Sequence, residues 1–164
     1  VPGGQTEKGG RSRSEADTIA GLWVARAGGQ RAHDAHLLAE QSRTRVRERL
    51  ARCAATGQLL VARPPVGDGE RRIVGFVMFD TRTDQYEVDR RRGLVENLYV
   101  VPNRRGEGIG SALLARAERR LRETGVDAIS LEAMADNEAA RRFYRRHGYE
   151  PHRVELEKQT DAED

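Results

Sequence analysis

The sequence predicts an α/β fold of the α+β kind: a mixed, mostly antiparallel central sheet flanked by helices on both faces. Three observations predict it. The apolar pattern reads as helices, then a strand hairpin, then strands and helices in alternation, an order that suits such a layered sheet. The run Ile73-Val74-Gly75-Phe76-Val77-Met78-Phe79 is apolar throughout, as a strand buried on both faces must be. Ile109, Leu113, Ala117 and Leu121 recur at four-residue steps and draw one apolar stripe along a helix, with Arg116, Arg119, Arg120 and Glu123 turned outward.

The elements follow in order. Residues 1–15 are Gly, Ser, Arg and Gln with almost nothing apolar, and read as a flexible leader. A single domain is expected over residues 16–158. Ser14 or Asp17 caps a first helix carrying Ile19, Leu22, Trp23 and Arg26 at helical spacing, and Gly28-Gly29 stops it. A second helix spans about residues 34–56, with Val46, Leu50, Cys53 and Ala54 as its apolar stripe and Gly57 as its C-terminal stop. Leu59 to Arg63 is a short strand. Pro64-Pro65 and Gly67-Asp68-Gly69 turn the chain, and Arg72 to Asp80 returns. Thr81 to Arg92 is polar, a solvated loop ending in Arg90-Arg91-Arg92 that could extend the hairpin around Tyr86 and Val88. Leu94 to Val101 is the central strand. The helix after it ends at Gly125, and Ala128 to Ala133 is a strand. Asp136 or Asn137 caps a last helix, Glu138 to Arg146, closed by Gly148. Tyr149 to Glu157 alternates as a final strand, and residues 159–164 form an acidic tail.

Bulk composition narrows the function. A chain of 164 residues with 37% hydrophobic and 34% charged residues builds one modest core under a charged surface. No apolar run approaches the ~20 residues of a membrane span, and no charged-then-apolar signal segment opens the chain, so a cytoplasmic protein is expected. Cys53 stands alone, which excludes an internal disulfide and a cysteine-based metal cage. The four histidines lack ligand spacing, so no metal is expected. His33 and His36 are assigned surface or packing roles. A net charge of +3 with arginines spread along the chain, and no aromatics interleaved among them, argues against nucleic acid as a partner. A homodimer is left open.

One stretch carries chemistry. From Val95 to Leu114 an apolar strand runs into Pro102, crosses the turn Arg104-Arg105-Gly106-Glu107-Gly108-Ile109-Gly110, and launches the amphipathic helix. Three alternating glycines free the backbone of Cβ atoms, so its N–H groups can approach an anion. The helix directs the positive end of its dipole to the same point. The spacing is neither that of a P-loop nor GxGxxG, so a nucleotidase and a Rossmann dehydrogenase are poor fits.

This stretch resembles the signature of the GNAT superfamily, the acetyl-CoA-dependent N-acyltransferases: Q/R-x-x-G-x-G/A after a strand, matched by Arg105, Gly108 and Gly110. A second family block follows in order, Leu131-Glu132-Ala133-Met134-Ala135-Asp136-Asn137, then Ala140, then Phe143-Tyr144-Arg145-Arg146-His147-Gly148-Tyr149. Together they cover roughly the C-terminal half of the chain. The resemblance implies a GNAT-like sheet with acetyl-CoA as cofactor. Its diphosphate would rest on N–H groups of Gly106, Glu107, Gly108, Ile109, Gly110 and Ser111, with Arg104 or Arg105 adding charge and the Glu107 side chain turned outward. The strand before the turn would splay from its parallel neighbour, so that Leu98, Tyr99 and Val100 offer free backbone groups to the pantetheine arm. Asn137 would bond that arm as well.

Amide formation also needs a base for the amine and an acid for the departing thiolate. Two carboxylates compete as base. Glu96 lies on the central strand, where strict alternation would place it on one face with Leu98 and Val100. Glu132 lies five residues before Asn137, the spacing of the base in the branch that acetylates ribosomal-protein N-termini, and is the one favoured. Tyr144 matches the family's general acid, with Ala140 and His147 one turn away. Cys53 sits on a helix stripe away from both blocks, so no covalent relay is implied and transfer would be direct, in a ternary complex. The expected activity is acetyl transfer to a primary amine: a protein N-terminus, a lysine or a small molecule. The alternative is an acyl-CoA-binding sensor or interaction module without turnover, which would need neither Tyr144 nor a base.

Overall fold

The structure, a computed structural model, describes residues 17–23, 35–65, 72–82 and 91–160, with side chains omitted over 35–43 and at 82. Residues 17–23 are helical (α1) and are followed by α2 (Ala35–Ala55), β1 (Leu59–Ala62), β2 (Gly75–Arg82), β3 (Arg92–Val100), α3 (Ile109–Glu123), β4 (Ala128–Leu131) and α4 (Glu138–Arg146). The leader at 1–15, Ser14, Arg26, Gly28-Gly29, His33, the Gly67-Asp68-Gly69 turn, Tyr86, Val88, Arg90 and residues 161–164 of the acidic tail lie outside the described residues, as does the side chain of His36.

The strands form one sheet in the order β1-β2-β3-β4. β1–β2 and β2–β3 are antiparallel and β3–β4 is parallel, the mixed, mostly antiparallel arrangement the pattern implied. On one face Phe76, Met78 and Tyr99 join Ile19, Ala20, Leu50 and Leu59 in a buried cluster, with Leu22, Trp23, Val46, Cys53 and Ala54 packed against it. On the other face α3 buries Leu113, Leu114, Ala117 and Leu121. Its approach is close. A Cβ at Gly93 would lie 2.9 Å from Leu121 Cδ2, and one at Gly75 would lie 3.2 Å from Leu113 Cδ1 and 2.9 Å from the Tyr99 carbonyl oxygen. Glycine at these two strand positions lets the helix sit against the sheet backbone. Leu114, fully buried, widens the stripe beyond the four-residue series read from the sequence. Gly57, at φ +74°, ends α2 in the left-handed conformation expected of it.

The chain divides into two compact units, one ending at Glu132 and the other beginning at Ala133. In the second, Asn137 rather than Asp136 caps α4: its Oδ1 accepts from the Ala140 amide at 3.1 Å. Gly148, at φ +86°, closes the helix. The expected strand over Tyr149 to Glu157 is absent. Residues 149–160 have no regular structure, and Val154 and Leu156 are 80% and 90% exposed. Alternation shows only that a segment suits a pleated surface. A strand also needs a neighbour to satisfy its N–H and C=O groups, and this segment has no ladder partner among the described residues.

Candidate active site

The glycine turn is built by its neighbours. After β3, Pro102 opens a short 3₁₀ turn, Pro102–Arg104, in which the Arg104 amide donates to Val101 O at 3.0 Å. The chain then passes through Gly106 and Gly108 at φ +81° and +80°, a conformation that side-chain-bearing residues resist. Gly108 is the N-cap of α3: its carbonyl accepts from the Ala112 amide at 3.0 Å, and no side chain caps the helix. The first-turn amides of Ile109 and Gly110 therefore precede the helical ladder. Those of Gly106, Glu107 and Gly108 donate to no backbone acceptor among the described residues. A Cβ at Gly106 or Gly108 would meet nothing within 4 Å, so the space beside these two glycines is open. The residues present thus fit a diphosphate: bare amides, a helix N-terminus and an unfilled approach.

The charged side chains of the turn are already placed. Arg104 Nε bonds Glu107 Oε2 at 2.7 Å, which holds the carboxylate sideways against a guanidinium. Arg105 Nε donates to Val100 O at 3.0 Å, and its guanidinium lies 5.6 Å from the centre of the Tyr99 ring.

β3 itself is irregular where chemistry is expected. Its pairing with β4 ends at Val95 opposite Leu131, so Glu96, Asn97, Leu98, Tyr99 and Val100 have no β4 ladder, and on the β2 side Glu96, Tyr99 and Val100 are paired. On that side Phe76 faces Tyr99 and Met78 faces Glu96. One residue of β2, Val77, thus opposes two of β3, Asn97 and Leu98, which is a β-bulge. Asn97 takes φ +47°, and asparagine is among the few side-chain residues that accept it. The bulge corrects the alternation argument. Glu96 shares a face with Tyr99 and Met78 rather than with Leu98 and Val100, because one extra residue reverses the phase of the pleat. An asparagine inside an apolar strand run was the available signal.

That phase reversal turns Glu96 toward α2. There a cavity of about 310 Å³ is lined by Arg49, Arg52, Cys53, Gln58, Asp80 and Glu96, with Met78 and Phe79 behind them. Arg49 bonds Glu96 Oε2. Gln58 Nε2 donates to Asp80 Oδ1 at 2.6 Å, and the Thr81 amide donates to the same oxygen at 2.7 Å. Burial pushes the Cys53 thiol up. The Glu96 and Asp80 carboxylates act in the same direction, while Arg49 and Arg52 oppose them. Cys53 is therefore not remote from the first block, as its helix position had suggested; it lines the same cavity as Glu96. Its thiol stays protonated at neutral pH, which suits a lining residue and not a nucleophile. Sequence reasoning missed this wall of the cavity, although Arg49, Arg52, Cys53 and Thr56 stand at i, i+3, i+4 and i+7 on one helix face.

Glu132 directly follows β4 and is exposed. In the second unit Asn137 is engaged as the α4 cap, and Tyr144 is half-buried, edge-on to Phe143 (5.3 Å between ring centres) and Tyr149 (5.9 Å). His147, one turn on, stacks against Phe143 at 4.4 Å, and its Nδ1 lies 2.8 Å from Phe143 O. Among the described residues no cluster of His, Cys, Asp or Glu is arranged to hold a metal, and no helix is long and apolar enough to cross a membrane.

Comparison with known proteins decides the family. Residues 30–149 match the profile of the acetyltransferase (GNAT) family. The chain belongs to it. Members of the GNAT family use acetyl-CoA. A solved GCN5-related N-acetyltransferase from Ralstonia eutropha JMP134 shares the fold at a TM-score of 0.63 and 23% identity, over 90% of this chain and 92% of that one. An aminoalkylphosphonate N-acetyltransferase of Salmonella typhimurium is 42% identical over 57 residues, 35% of this chain and 37% of that protein. The N-alpha-acetyltransferase MAK3 of Arabidopsis thaliana is 38% identical over 58 residues, 35% of this chain and 30% of that protein. The matches span between a quarter and about half the length of the first curated relatives.

Proposed function

We propose that this GNAT chain transfers an acetyl group from acetyl-CoA to a primary amine by direct attack in a ternary complex. The observation that carries the reading is the open cradle of Gly106 and Gly108 at the uncapped N-terminus of α3. When bound, acetyl-CoA supplies an acyl group activated as a thioester.

The chain's own residues do the rest. Amides from Gly106 to Ser111, with Arg104 and Arg105 beside them, hold the diphosphate. Leu98, Tyr99 and Val100 line the edge of β3 offered to an extended arm, where the Val100 carbonyl already accepts from Arg105 Nε, and Asn137 supplies its amide group to the same arm. Glu96 takes the proton of the incoming ammonium, directly or through one water. Arg49 occupies Oε2, which leaves the lone pairs of Oε1 for that task. Glu132, exposed at the end of β4, is the competing base, supported by its spacing to Asn137; the cavity around Glu96 supports Glu96. Tyr144 donates its phenolic proton to the departing sulfur. The acceptor class stays within primary amines, since one relative is named an aminoalkylphosphonate N-acetyltransferase and another an N-alpha-acetyltransferase.

The test is a panel of amines with detection of free thiol. Wild-type protein should release thiol in an amine-dependent way. Glu96→Gln should lower kcat/KM by ~10² to 10⁴ and flatten the acid limb of its pH profile, with Glu132→Gln close to wild type. The reverse ranking would return the role to Glu132. Full activity in both variants would mean that the amine binds already neutral. Thiol release with no amine at all would overturn the proposal.

A further inference from the structure

The cavity beside Glu96 has a charge pattern that the transfer reaction alone does not require. Two carboxylates, Glu96 and Asp80, and two guanidiniums, Arg49 and Arg52, surround it, and all four charges act on the Cys53 thiol between them. They are not equally committed. Glu96 and Arg49 are paired with each other. Asp80 is held through one oxygen, Oδ1, by Gln58 and by the Thr81 amide. Arg52, at the exposed rim, has no ion pair among the described residues. The wall behind is apolar, with Met78 and Phe79 buried. At about 310 Å³ the space is at the small end of ligand sites.

A simple alkylamine would bring one positive charge to this balanced set and leave Arg52 unmatched. A ligand carrying both signs adds an ammonium for Glu96 and Asp80 and an oxyanion for Arg52, whose planar fork binds carboxylate or phosphonate oxygens in pairs. A peptide backbone carries no such oxyanion close to its N-terminus unless an acidic side chain provides one. We infer that the acceptor is a small primary amine that itself bears an oxyanionic group, with its ammonium beside Glu96 and its anion on Arg52. This inference rests on the acetyl-transfer reading and names the substrate class of the same site.

The experiment compares length-matched acceptors in the thiol-release assay: hexylamine, 6-aminohexanoate, a 5-aminopentylphosphonate and 1,6-diaminohexane, with a neutral peptide as a fifth arm. The two oxyanion-bearing amines should exceed hexylamine in kcat/KM by about tenfold or more, the scale of one hydrogen-bonded charge pair. The carboxylate and phosphonate arms then show which oxyanion is preferred. In Arg52→Gln the advantage of the acidic amines over hexylamine should collapse toward one, chiefly through KM, and Arg52→Lys should restore part of it. A thermal melt of each variant checks that the fold is kept. Brisk transfer that is equal for hexylamine, diamine or peptide would overturn the acidic-acceptor inference while leaving acetyl transfer standing. An Arg52→Gln loss equal for every acceptor would overturn it as well. No thiol release from any arm would remove the transfer reading itself, and this inference with it.

Discussion

Helices α3 and α4 begin with the same physical problem and solve it in opposite ways. Each exposes first-turn N–H groups that need acceptors. At α4 the protein supplies one itself, through Asn137 Oδ1 on the Ala140 amide. At α3 the N-cap is Gly108, which has no side chain to offer. The two helices also differ in anchorage. α3 buries Leu113, Leu114, Ala117 and Leu121, whereas α4 fully buries none of its residues. An uncapped end is tolerable where the core holds the rest of the helix, and it is useful where an external anion completes the cap. α4 has no such anchorage and relies on its own cap.

Three substitutions, one in α3, one in α4 and one at the α3 N-cap, test that contrast most strongly. Leu114→Ala should cost about 2–5 kcal/mol in a urea titration, because it opens a cavity in a site with no exposure. Phe143→Ala, on half-buried α4 surface, should cost clearly less; equal costs would break the difference in anchorage. Next comes Gly108→Val. A β-branched residue resists φ +80° and would intrude on the open cradle. The melting-temperature rise given by acetyl-CoA, worth about 2.7 kcal/mol at a hundredfold excess over Kd, should vanish while the unliganded protein still unfolds cooperatively. A retained shift would remove the phosphate cradle from the site.

The same contrast explains what could be read from residue order. Helices satisfy their own backbone, so the bounds of α4 and the stop at Gly57 follow from local signals such as Asn137, Gly148 and the apolar stripe. Strands depend on partners far along the chain. The segment from Tyr149 has the right alternation and no ladder, and the bulge at Asn97 shows only once β2 and β3 are in register. The conformation of the glycine turn was legible because its signals are local to seven residues. The Glu96 cavity was not, since Arg49, Gln58, Asp80 and Glu96 come from four separate stretches brought together by packing.

A smaller effect is expected on α4. Tyr144→Phe keeps the ring that meets Phe143 and Tyr149 and deletes only the hydroxyl. If that hydroxyl protonates the departing thiolate, kcat should fall about tenfold while acetyl-CoA affinity barely moves, the pattern of an interaction made in the transition state. The effect is kept modest because a thiolate leaves tolerably well unprotonated. Wild-type turnover would reduce Tyr144 to a packing residue and leave α4 with a cap and no catalytic group.

The smallest expected change is at Asn137, and it separates capping from cofactor binding. Asn137→Ala removes the acceptor for the Ala140 amide and should cost about 1 kcal/mol, read as faster hydrogen exchange at the start of α4. Asn137→Asp keeps an oxygen in the same position and adds a negative charge at the positive end of the helix, so exchange protection should return to the wild-type level or better. The aspartate lacks the amide N–H₂, however. If that group also bonds the pantetheine arm, acetyl-CoA affinity should stay weakened in Asn137→Asp although α4 is intact. If affinity recovers together with protection, Asn137 serves α4 alone, and the N-termini of α3 and α4 divide cleanly into one that binds and one that caps itself.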